Sequence, residues 1–270
     1  MRVKVRDENL AYNTDLKTVY NGQLRKGQIY EINALHLTSR GNDMNDVSYE
    51  IKGLNGLFSS QEFTVVDCEN QKDLKIVFEN LRDPKEKLNK LIQDEKAGDL
   101  PRMNPFYGHY QKGKELDNSC LSQWFPSKFM INGNAYNCME QYMMSSKARL
   151  FNDLETEKEI LKANHPKICK SLGRRVKNFN EQKWNENKYK IIIEGNIMKF
   201  LANEELKHFL LGTCTMILIE ASPYDKIWGI GLNKEHPFVN KPSQWLGQNL
   251  LGFALMEVRE YLREIFRWSV

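Results

Sequence analysis

Glu140 and Lys147, a carboxylate and an amine seven residues apart, are spaced so that both could act on one bound ligand. On an α-helix they lie about 20° apart in projection and about 10 Å apart along the axis, so both side chains can reach one ligand. Met143 and Met144 lie between them and would form an apolar floor. A lysine removed from water can act as a nucleophile toward a carbonyl-level carbon. A solvated charged face above core methionines is the alternative, and on spacing alone it is favoured.

A second candidate is the segment SPYDKIWGIG at 222–231, in which Asp225 and Trp228 precede Gly229 and Gly231. Glycine lets the backbone approach a flat or phosphorylated ligand, while the tryptophan face can stack on it. A dinucleotide-binding fingerprint is excluded, because one of its three glycines is missing and no helix clearly follows. A buried aromatic in a tight loop is the alternative interpretation.

Cations and a further tryptophan follow one another at LGRRVK, residues 172–177, where Arg174 and Arg175 precede Trp184. These residue types suit phosphate binding and ribose stacking. A solvated helix C-terminus, which favours cations, is the simpler explanation when the stretch is taken alone. Asn249, at the start of the last predicted helix, is a further candidate to face a cleft.

The elements that must position these residues divide the chain into three parts. Residues 1–68 contain short alternating strands separated by glycine turns, which predicts a small SH3-like β-barrel as an accessory domain. Residues 69–103 are rich in charge and are predicted to form a helical linker that Pro84 interrupts. Residues 104–270 are mainly helical with a buried strand candidate at 215–221, so the fold class predicted for the chain is α+β and helix-dominated. Helices are predicted at 137–151, 166–174, 181–201, 204–211 and 246–266, and a further helix is predicted to begin after Asp153. Asp153 is predicted to cap that helix, and Asn203 to cap the helix at 204–211.

Composition excludes several classes of protein. The 270 residues include no apolar run of about 18, and the N-terminus has no apolar signal segment, so a cytoplasmic location is expected. Five cysteines form no Cys-x-x-Cys pair and the five histidines show no ligand spacing, so neither a metal nor a disulfide framework is expected. The first hundred residues carry 15 basic and 17 acidic side chains, and the rest carry 24 and 18. The C-terminal excess of cations suits an anionic ligand, although an ordinary basic surface explains it equally well.

Taken together and in order, these pieces resemble the NADAR family, also called YbiA-like, over about residues 104–266. The matching stretches are LSQWFPSKF at 121–129, NCMEQYMMSSKA at 137–148, LGRRVKNF at 172–179, Trp184, EGNIMKF at 194–200, LGT at 211–213, ASPYDKIWGIGL at 221–232, NLLG at 249–252 and MEVR at 256–259. The resemblance does not extend to residues 1–100.

The resemblance implies a compact α+β catalytic domain with N-glycosidase activity on ribosides and with no metal or cofactor. Two substrate classes are associated with the family: ADP-ribose attached to guanine in nucleic acid, and ribosylaminopyrimidine phosphates of early riboflavin biosynthesis. The first is the leading function predicted here, because a free metabolite does not need an accessory binding domain. That domain is a candidate to contact nucleic acid or protein, and no membrane is involved. A non-catalytic ADP-ribose or NAD sensor is a third class, and the joint presence of Glu140, Lys147 and Asp225 argues against it.

The resemblance also suggests roles for residues. Glu140 or Asp225 would stabilise an oxocarbenium-like centre while the other activates water or protonates the leaving nitrogen. Alternatively, Lys147 would attack the ring-opened sugar to form a Schiff base. The remaining candidates would bind the substrate, through stacking tryptophans, phosphate-binding arginines and the cleft residues: Trp124, Trp184, Trp228, Arg174, Arg175, Gly229 and Asn249.

Two departures from the family pattern affect these expectations. Many members have Glu-His where this chain has Glu140 and Gln141, so a histidine relay at that position is absent. The usual Leu-Ser-Asn-Phe is replaced by Leu-Ser-Gln-Trp at 121–124. The second change is predicted to alter the lip of the pocket at Trp124.

Overall fold

Alternating residues near the N-terminus form five antiparallel strands: β1 (Arg2–Val5), β2 (Ile29–Ser39), β3 (Asn45–Ile51), β4 (Leu57–Ser59) and β5 (Phe63–Asp67). They pair in the order β4-β3-β2-β1-β5, and β1 lies between the first part of β2 and the last strand. The computed structural model describes residues 2–5, 29–39, 45–51, 57–59, 63–67, 78 and 81–266. Short strands are present within residues 1–68, whereas the SH3-like barrel stays a prediction.

The chain separates into two compact units, one of residues 1–76 with 261–270 and one of residues 77–260. Helix α1 (Pro84–Ala97) falls in the second unit. Pro84 occupies its first turn and Asp83 caps it by accepting a hydrogen bond from the Lys85 amide at 2.9 Å. Proline in this position begins a helix, because its missing N–H would have no partner there. Pro84 therefore starts the helix that it was predicted to interrupt.

After α1 the described chain contains short strands and six further α-helices, the last of which runs from the second unit into the segment 261–270 of the first. These elements are β6 (Met103–Phe106), β7 (Phe129–Ile131), β8 (Asn134–Tyr136), α2 (Met139–Leu150), α3 (Leu154–Lys162), α4 (Pro166–Gly173), α5 (Glu181–Ala202), α6 (Glu204–Gly212), β9 (Ile217–Glu220) and α7 (Leu250–Phe266). The helix-dominated α+β prediction is confirmed for this part of the chain. Among the described helices, none is both long and apolar enough to cross a membrane.

Helix α2 lies at the centre of the unit and packs against α3, α4 and α5. Nine of its twelve residues are buried, so it lacks the solvated face of a surface helix. Helix α4 can approach α2 closely because Gly173 has no side chain: a Cβ there would overlap the side chain of Met144. This packing brings the end of α4 to the same side of α2 as Lys147.

Caps at the helix starts agree with the sequence in one case and differ in another. Asp153 caps α3 as predicted, accepting a hydrogen bond from the Thr156 amide at 3.2 Å. Asn203 makes no side-chain cap for α6. Its side-chain amide instead donates to the carbonyl groups of Lys128 and Lys199, at 3.1 and 2.7 Å. The predicted cap is therefore wrong, and the side chain of Asn203 connects the end of α5 to the segment before β7.

Strands β6 and β9 form a two-stranded parallel ribbon, in register from Met103 opposite Ile217 to Phe106 opposite Glu220. The carboxyl ends of parallel strands meet at one edge, which is where ligand sites of such arrangements form. The loops that follow the two strands, 107–109 and 221–228, therefore start side by side. Asn249 holds the end of β9 in place, because its side chain donates to the Leu218 carbonyl at 2.9 Å and accepts from the Glu220 amide at 3.0 Å.

Candidate active site

A cavity of about 850 Å³ opens between α2, the end of α4 and the loops that follow the parallel ribbon. Its volume lies in the range of small-molecule and cofactor sites. The lining combines acidic, basic and aromatic side chains with an apolar floor of Met143 and Met144. Among the candidates predicted from sequence, the residues that line it are Glu140, Lys147, Asp225, Trp124, Arg174, Trp184 and Trp228.

Glu140 lies in the first turn of α2 and is only 3% exposed. Its Oε2 accepts a hydrogen bond from Trp124 Nε1 at 3.1 Å, while Oε1 is buried and has no hydrogen-bond partner in the described part of the chain. Burial raises the pKa of Glu140 to about 7, and Lys170, the Trp124 hydrogen bond and Arg174 oppose that rise. A buried oxygen without a partner costs free energy, so Oε1 is suited to meet a ligand.

Lys147 lies two turns along the same helix, at the other end of the methionine floor. Its Nζ donates to the Gly173 carbonyl at 2.8 Å and lies 4.3 Å from the ring centre of Phe179 and 5.7 Å from that of Trp184. Burial lowers the pKa of Lys147, because an ammonium group is poorly solvated there. The amine is thus held in the cavity by a carbonyl group and by aromatic faces.

Asp225 is fixed by a turn of its own loop. Its Oδ1 accepts hydrogen bonds from the backbone amides of Ile227 at 2.9 Å and Trp228 at 2.8 Å. This turn places the carboxylate and the Trp228 side chain on the cavity wall together. Short loops ordered by an aspartate side chain in this way hold their shape without a helix or strand.

Aromatic and cationic side chains surround the opening of the cavity. Tyr224 is 90% exposed and Lys226 lies two residues along the same loop. On the opposite side, Lys170 Nζ lies 5.8 Å from the Trp124 ring, and the His109 ring centre is 5.3 Å from that of Trp124. Such a rim can hold flat rings by stacking and phosphate groups by charge.

Three of the predicted substrate-binding residues are not part of the cavity lining. Arg175 is exposed on the segment after α4. Gly229 allows a close crossing of two backbone segments, because a Cβ there would lie 2.8 Å from the Glu220 carbonyl oxygen. Asn249 is fully buried and its amide bonds to the backbone of β9. The structure thus places Gly229 and Asn249 where they position Glu220.

Several lining residues were missed in the sequence analysis. Glu220, the last residue of β9, lines the cavity, and burial followed by the nearby Asp225 raises its pKa to about 8. Tyr107 and His109 come from the loop after β6, and Lys170 from α4. Burial, and then His165, lowers the pKa of His109. The one signal in the sequence was position, since Glu220 directly precedes the motif at 221–232.

Gln141 explains why the missing histidine leaves no gap in the cavity. Its Nε2 donates to the carbonyl groups of Ile160, Leu161 and Ala163, and its Oε1 accepts from the Asn137 amide. The side chain is therefore directed to the end of α3 and is not part of the lining. An imidazole reaches the cavity from His109 instead.

No group of three or more metal-binding side chains occurs in the part of the chain that the structure describes. The four cysteines within those residues, Cys120, Cys138, Cys169 and Cys214, are free thiols. The side chains of the cavity that can transfer protons or attack a substrate include carboxyl groups, lysines and an imidazole.

The fold and the cavity define a helix-dominated α+β protein with a deep aromatic and carboxylate-bearing pocket. The NADAR domain family matches residues 106–263, more than half of the chain, and the chain belongs to that family. An N-glycosidase of Acanthamoeba polyphaga mimivirus is 45% identical over 145 residues, which cover 52% of this chain and 85% of that protein.

Two further comparisons differ in what they cover. A riboflavin biosynthesis protein of Vibrio vulnificus is 28% identical over 144 residues, which cover 53% of this chain and 35% of that protein. The solution NMR structure of the Escherichia coli protein YbiA has a TM-score of 0.50 and 22% identity, covering 63% of this chain and 92% of that one. At this identity the likeness establishes the fold of the second unit.

Proposed function

We propose that this protein is a hydrolase that cleaves the N-glycosidic bond between ADP-ribose and guanine in nucleic acid. The observation that carries the proposal is the unpartnered Oε1 of Glu140 at the base of a cavity whose rim is aromatic and cationic. A glycosidase needs a buried carboxyl group beside the anomeric carbon, and ADP-ribose needs stacking surfaces and a site for its diphosphate. The names of the N-glycosidase relatives support the reaction class.

The rim supports a substrate with several rings and phosphate groups. Trp124, Trp184 and Trp228 offer three aromatic faces, and Arg174 and Lys170 offer positive charge on one side. A guanidinium group can bind two oxygens of one phosphate, and the ammonium group of Lys170 offers a second cation for the other phosphate of ADP-ribose. The exposed Tyr224 would then stack on a base outside the cavity.

As the glycosidic bond breaks, positive charge develops at C1″, the anomeric carbon of the ribose bonded to guanine. Cleavage therefore needs a negative charge beside that carbon. The anionic Glu140 would lie beside that carbon and stabilise the oxocarbenium-like transition state. Asp225, whose carboxylate is oriented by two backbone amides, would accept a proton from the attacking water. The methionine floor would exclude other water from the ribose.

Lys147 supports a second route to the same products. Its amine lies in the cavity, and no carboxylate pairs with it among the described residues, so loss of its proton would break no ion pair there. The neutral amine would attack C1″ of the ring-opened ribose, and the bond from C1″ to the guanine nitrogen would break as the Schiff base forms, with the guanine nitrogen leaving protonated. Water would then hydrolyse the Schiff base to free ADP-ribose and the free amine of Lys147. Borohydride reduction during turnover would trap this intermediate as a covalent adduct on Lys147.

Mass spectrometry tests the proposed function directly. The full chain is incubated with an oligonucleotide carrying ADP-ribose on guanine, and release of free ADP-ribose with the unmodified oligonucleotide is the expected result. Glu140→Gln is the inactive control, and Glu155→Gln, on the exposed surface, is the active one. Binding of the oligonucleotide without release in the wild type would leave a sensor as the function.

A glycosidase acting on a ribosylaminopyrimidine phosphate is the second candidate. The Vibrio vulnificus relative, named a riboflavin biosynthesis protein, is the observation that favours it. The same assay distinguishes the two, because turnover of the small riboside with no release of ADP-ribose would replace the leading proposal. The cavity volume is larger than one ribosylated ring with a single phosphate would fill, which favours ADP-ribose.

For the first unit we propose an SH3-like barrel, at residues 1–68, that contacts nucleic acid or protein near the substrate. The strand order and the pairing of β2 with both β1 and β3 support it. Residues 69–103 would connect this accessory domain to the catalytic domain at 104–270. Loss of turnover on the oligonucleotide after removal of residues 1–76, with a free guanine nucleoside substrate still cleaved, is the expected result.

A further inference from the structure

The cavity contains three carboxyl groups, and their surroundings differ. Lys170 and Arg174 lie within electrostatic reach of Glu140, which also accepts the Trp124 hydrogen bond. For Glu220, no cation among the described residues is a cause of the pKa shift, and its electrostatic neighbour there is the carboxylate of Asp225. Asp225 is in turn within reach of both glutamates.

Unequal surroundings of this kind divide two carboxyl groups into an acid and a base. Cations and a donated hydrogen bond favour the anion at Glu140. A neighbouring carboxylate and burial favour the neutral acid at Glu220. The pKa of Glu220, raised to about 8 by burial and then by Asp225, agrees with this division.

The backbone of Glu220 is fixed on both sides of the side chain. Its amide donates to Asn249 Oδ1 at 3.0 Å, and its carbonyl accepts from the Ile230 amide at 2.9 Å. Gly229 lets that second segment come close enough, as its missing side chain leaves room for the Glu220 carbonyl. A carboxyl group placed on a strand end held in this way stays in one position during the reaction.

We propose that Glu220 is the general acid of this site, donating its proton to the guanine nitrogen as the bond from that nitrogen to C1″ breaks. This inference rests on the proposed N-glycosidase function. The bonding pair passes to the nitrogen, which takes the proton from Glu220, while water forms the new bond to C1″ and gives its proton to Asp225. Transfer of that proton through solvent to Glu220 restores the site, so one water is consumed, and the products are free ADP-ribose and nucleic acid with its guanine unmodified. Glu140 stays anionic throughout.

The pH dependence of turnover tests this role, and the groups that act on it are known. From the loops and helices around Glu220, the titratable or charged groups that line the cavity are Tyr107, His109, Glu140, Lys147, Lys170, Arg174, Tyr224, Asp225 and Lys226. A neutral Glu220 predicts that kcat/KM, which reports ionisation in the free enzyme, falls on the alkaline side of a bell-shaped profile, as the proton of Glu220 is lost near pH 8. The acidic side reports protonation of Glu140 near pH 7.

Glu220→Gln keeps the size of the side chain and removes its transferable proton. We expect kcat to fall by about 10²- to 10⁴-fold, with KM changed little and with the alkaline limb abolished. Glu155→Gln, which removes a carboxyl group from the exposed surface, should leave kcat and both limbs unchanged. Wild-type turnover by Glu220→Gln would overturn the proposal, and so would a slow variant that retains the alkaline limb.

A readout without substrate separates failure of this proposal from failure of the proposed function. Glutamate labelled with ¹³C at the carboxyl carbon gives one NMR resonance that disappears in Glu220→Gln. The expected result is that this resonance titrates near pH 8. If it titrates in the ordinary acidic range, Glu220 is not the acid, whichever riboside is cleaved. If it titrates near pH 8 while the wild type releases no ADP-ribose, the proposed substrate is wrong and Glu220 is the acid for another riboside.

Discussion

The hydrogen bond from Trp124 Nε1 to Glu140 Oε2, 3.1 Å long, supplies a prediction that can be worked out quantitatively. Trp124→Phe removes the donor and keeps an aromatic ring at the rim. Because this hydrogen bond favours the carboxylate, its loss raises the pKa of Glu140 above its present value of about 7. At any pH near neutrality a smaller fraction of Glu140 is then ionised.

The magnitude follows from the free energy of one charge-assisted hydrogen bond. Such a bond contributes about 1.5 to 3 kcal/mol, and about 1.4 kcal/mol is a factor of ten in an equilibrium. With the lower value, the wild type exceeds the variant in ionised Glu140 by about elevenfold at pH 6, about sixfold at pH 7 and about twofold at pH 8. The ratio of kcat/KM values should follow these numbers, because kcat/KM reports ionisation in the free enzyme.

The assay measures kcat/KM of both proteins across pH 6 to 8 on the guanine-modified oligonucleotide. Taking the ratio at each pH cancels any alkaline limb that both proteins share. Trp184→Phe is the matched control, since Trp184 lies near Lys147 and makes no hydrogen bond to Glu140. A ratio that stays constant across this range would refute the reasoning, because Trp124 would then act by stacking alone.

Four further substitutions have expected outcomes. Glu140→Gln should lower kcat by about 10²- to 10³-fold on the oligonucleotide, since a positive centre loses its stabilising charge, while thermal melting shows an intact fold. Gln141→Leu should lower the free energy of unfolding by about 1 to 3 kcal/mol in urea titrations and leave kcat unchanged, because carbonyl groups at the end of α3 lose their donor. Gly173→Ala should cost about 1 to 3 kcal/mol in the same titration, because its methyl group overlaps Met144. Burial lowers the pKa of Lys199 to about 8, so this residue binds fewer protons in the folded than in the unfolded state between about pH 8 and pH 10.5. The contribution of Lys199 to stability should therefore rise with pH across that window, and Lys199→Met should show a smaller rise in the free energy of unfolding than the wild type, since burial also lowers the pKa of Lys87.

Features of the site that depend on local sequence could be predicted. The heptad separation of Glu140 and Lys147 sets their common face as soon as the segment is helical, and both line the cavity with Met143 between them. The turn at Asp225 is also local, since its side chain bonds to amides two and three residues further on. These predictions needed no knowledge of distant contacts.

Features that depend on pairing across the chain could not be predicted. Glu220 appears in the sequence as the last residue of a buried strand, and only its pairing opposite Phe106 brings it beside Tyr107. Contacts across the chain also give Asn249 its backbone partners in β9, whereas the sequence indicated a cleft-facing residue. Pro84 was misjudged for a simpler reason, since a proline that breaks a helix and one that begins a helix look alike until the preceding cap is known.

The parallel ribbon also constrains how the substrate preference of this protein can be altered. Its two strands share only four residue pairs, and the loops at 107–109 and 221–228 leave the same edge from points more than a hundred residues apart in the chain. A loop taken from a relative and grafted at one of these positions would meet an unmatched partner loop across the cavity. Exchange of both loops together, with Asn249 kept to hold the end of β9, is the smallest graft that preserves the geometry.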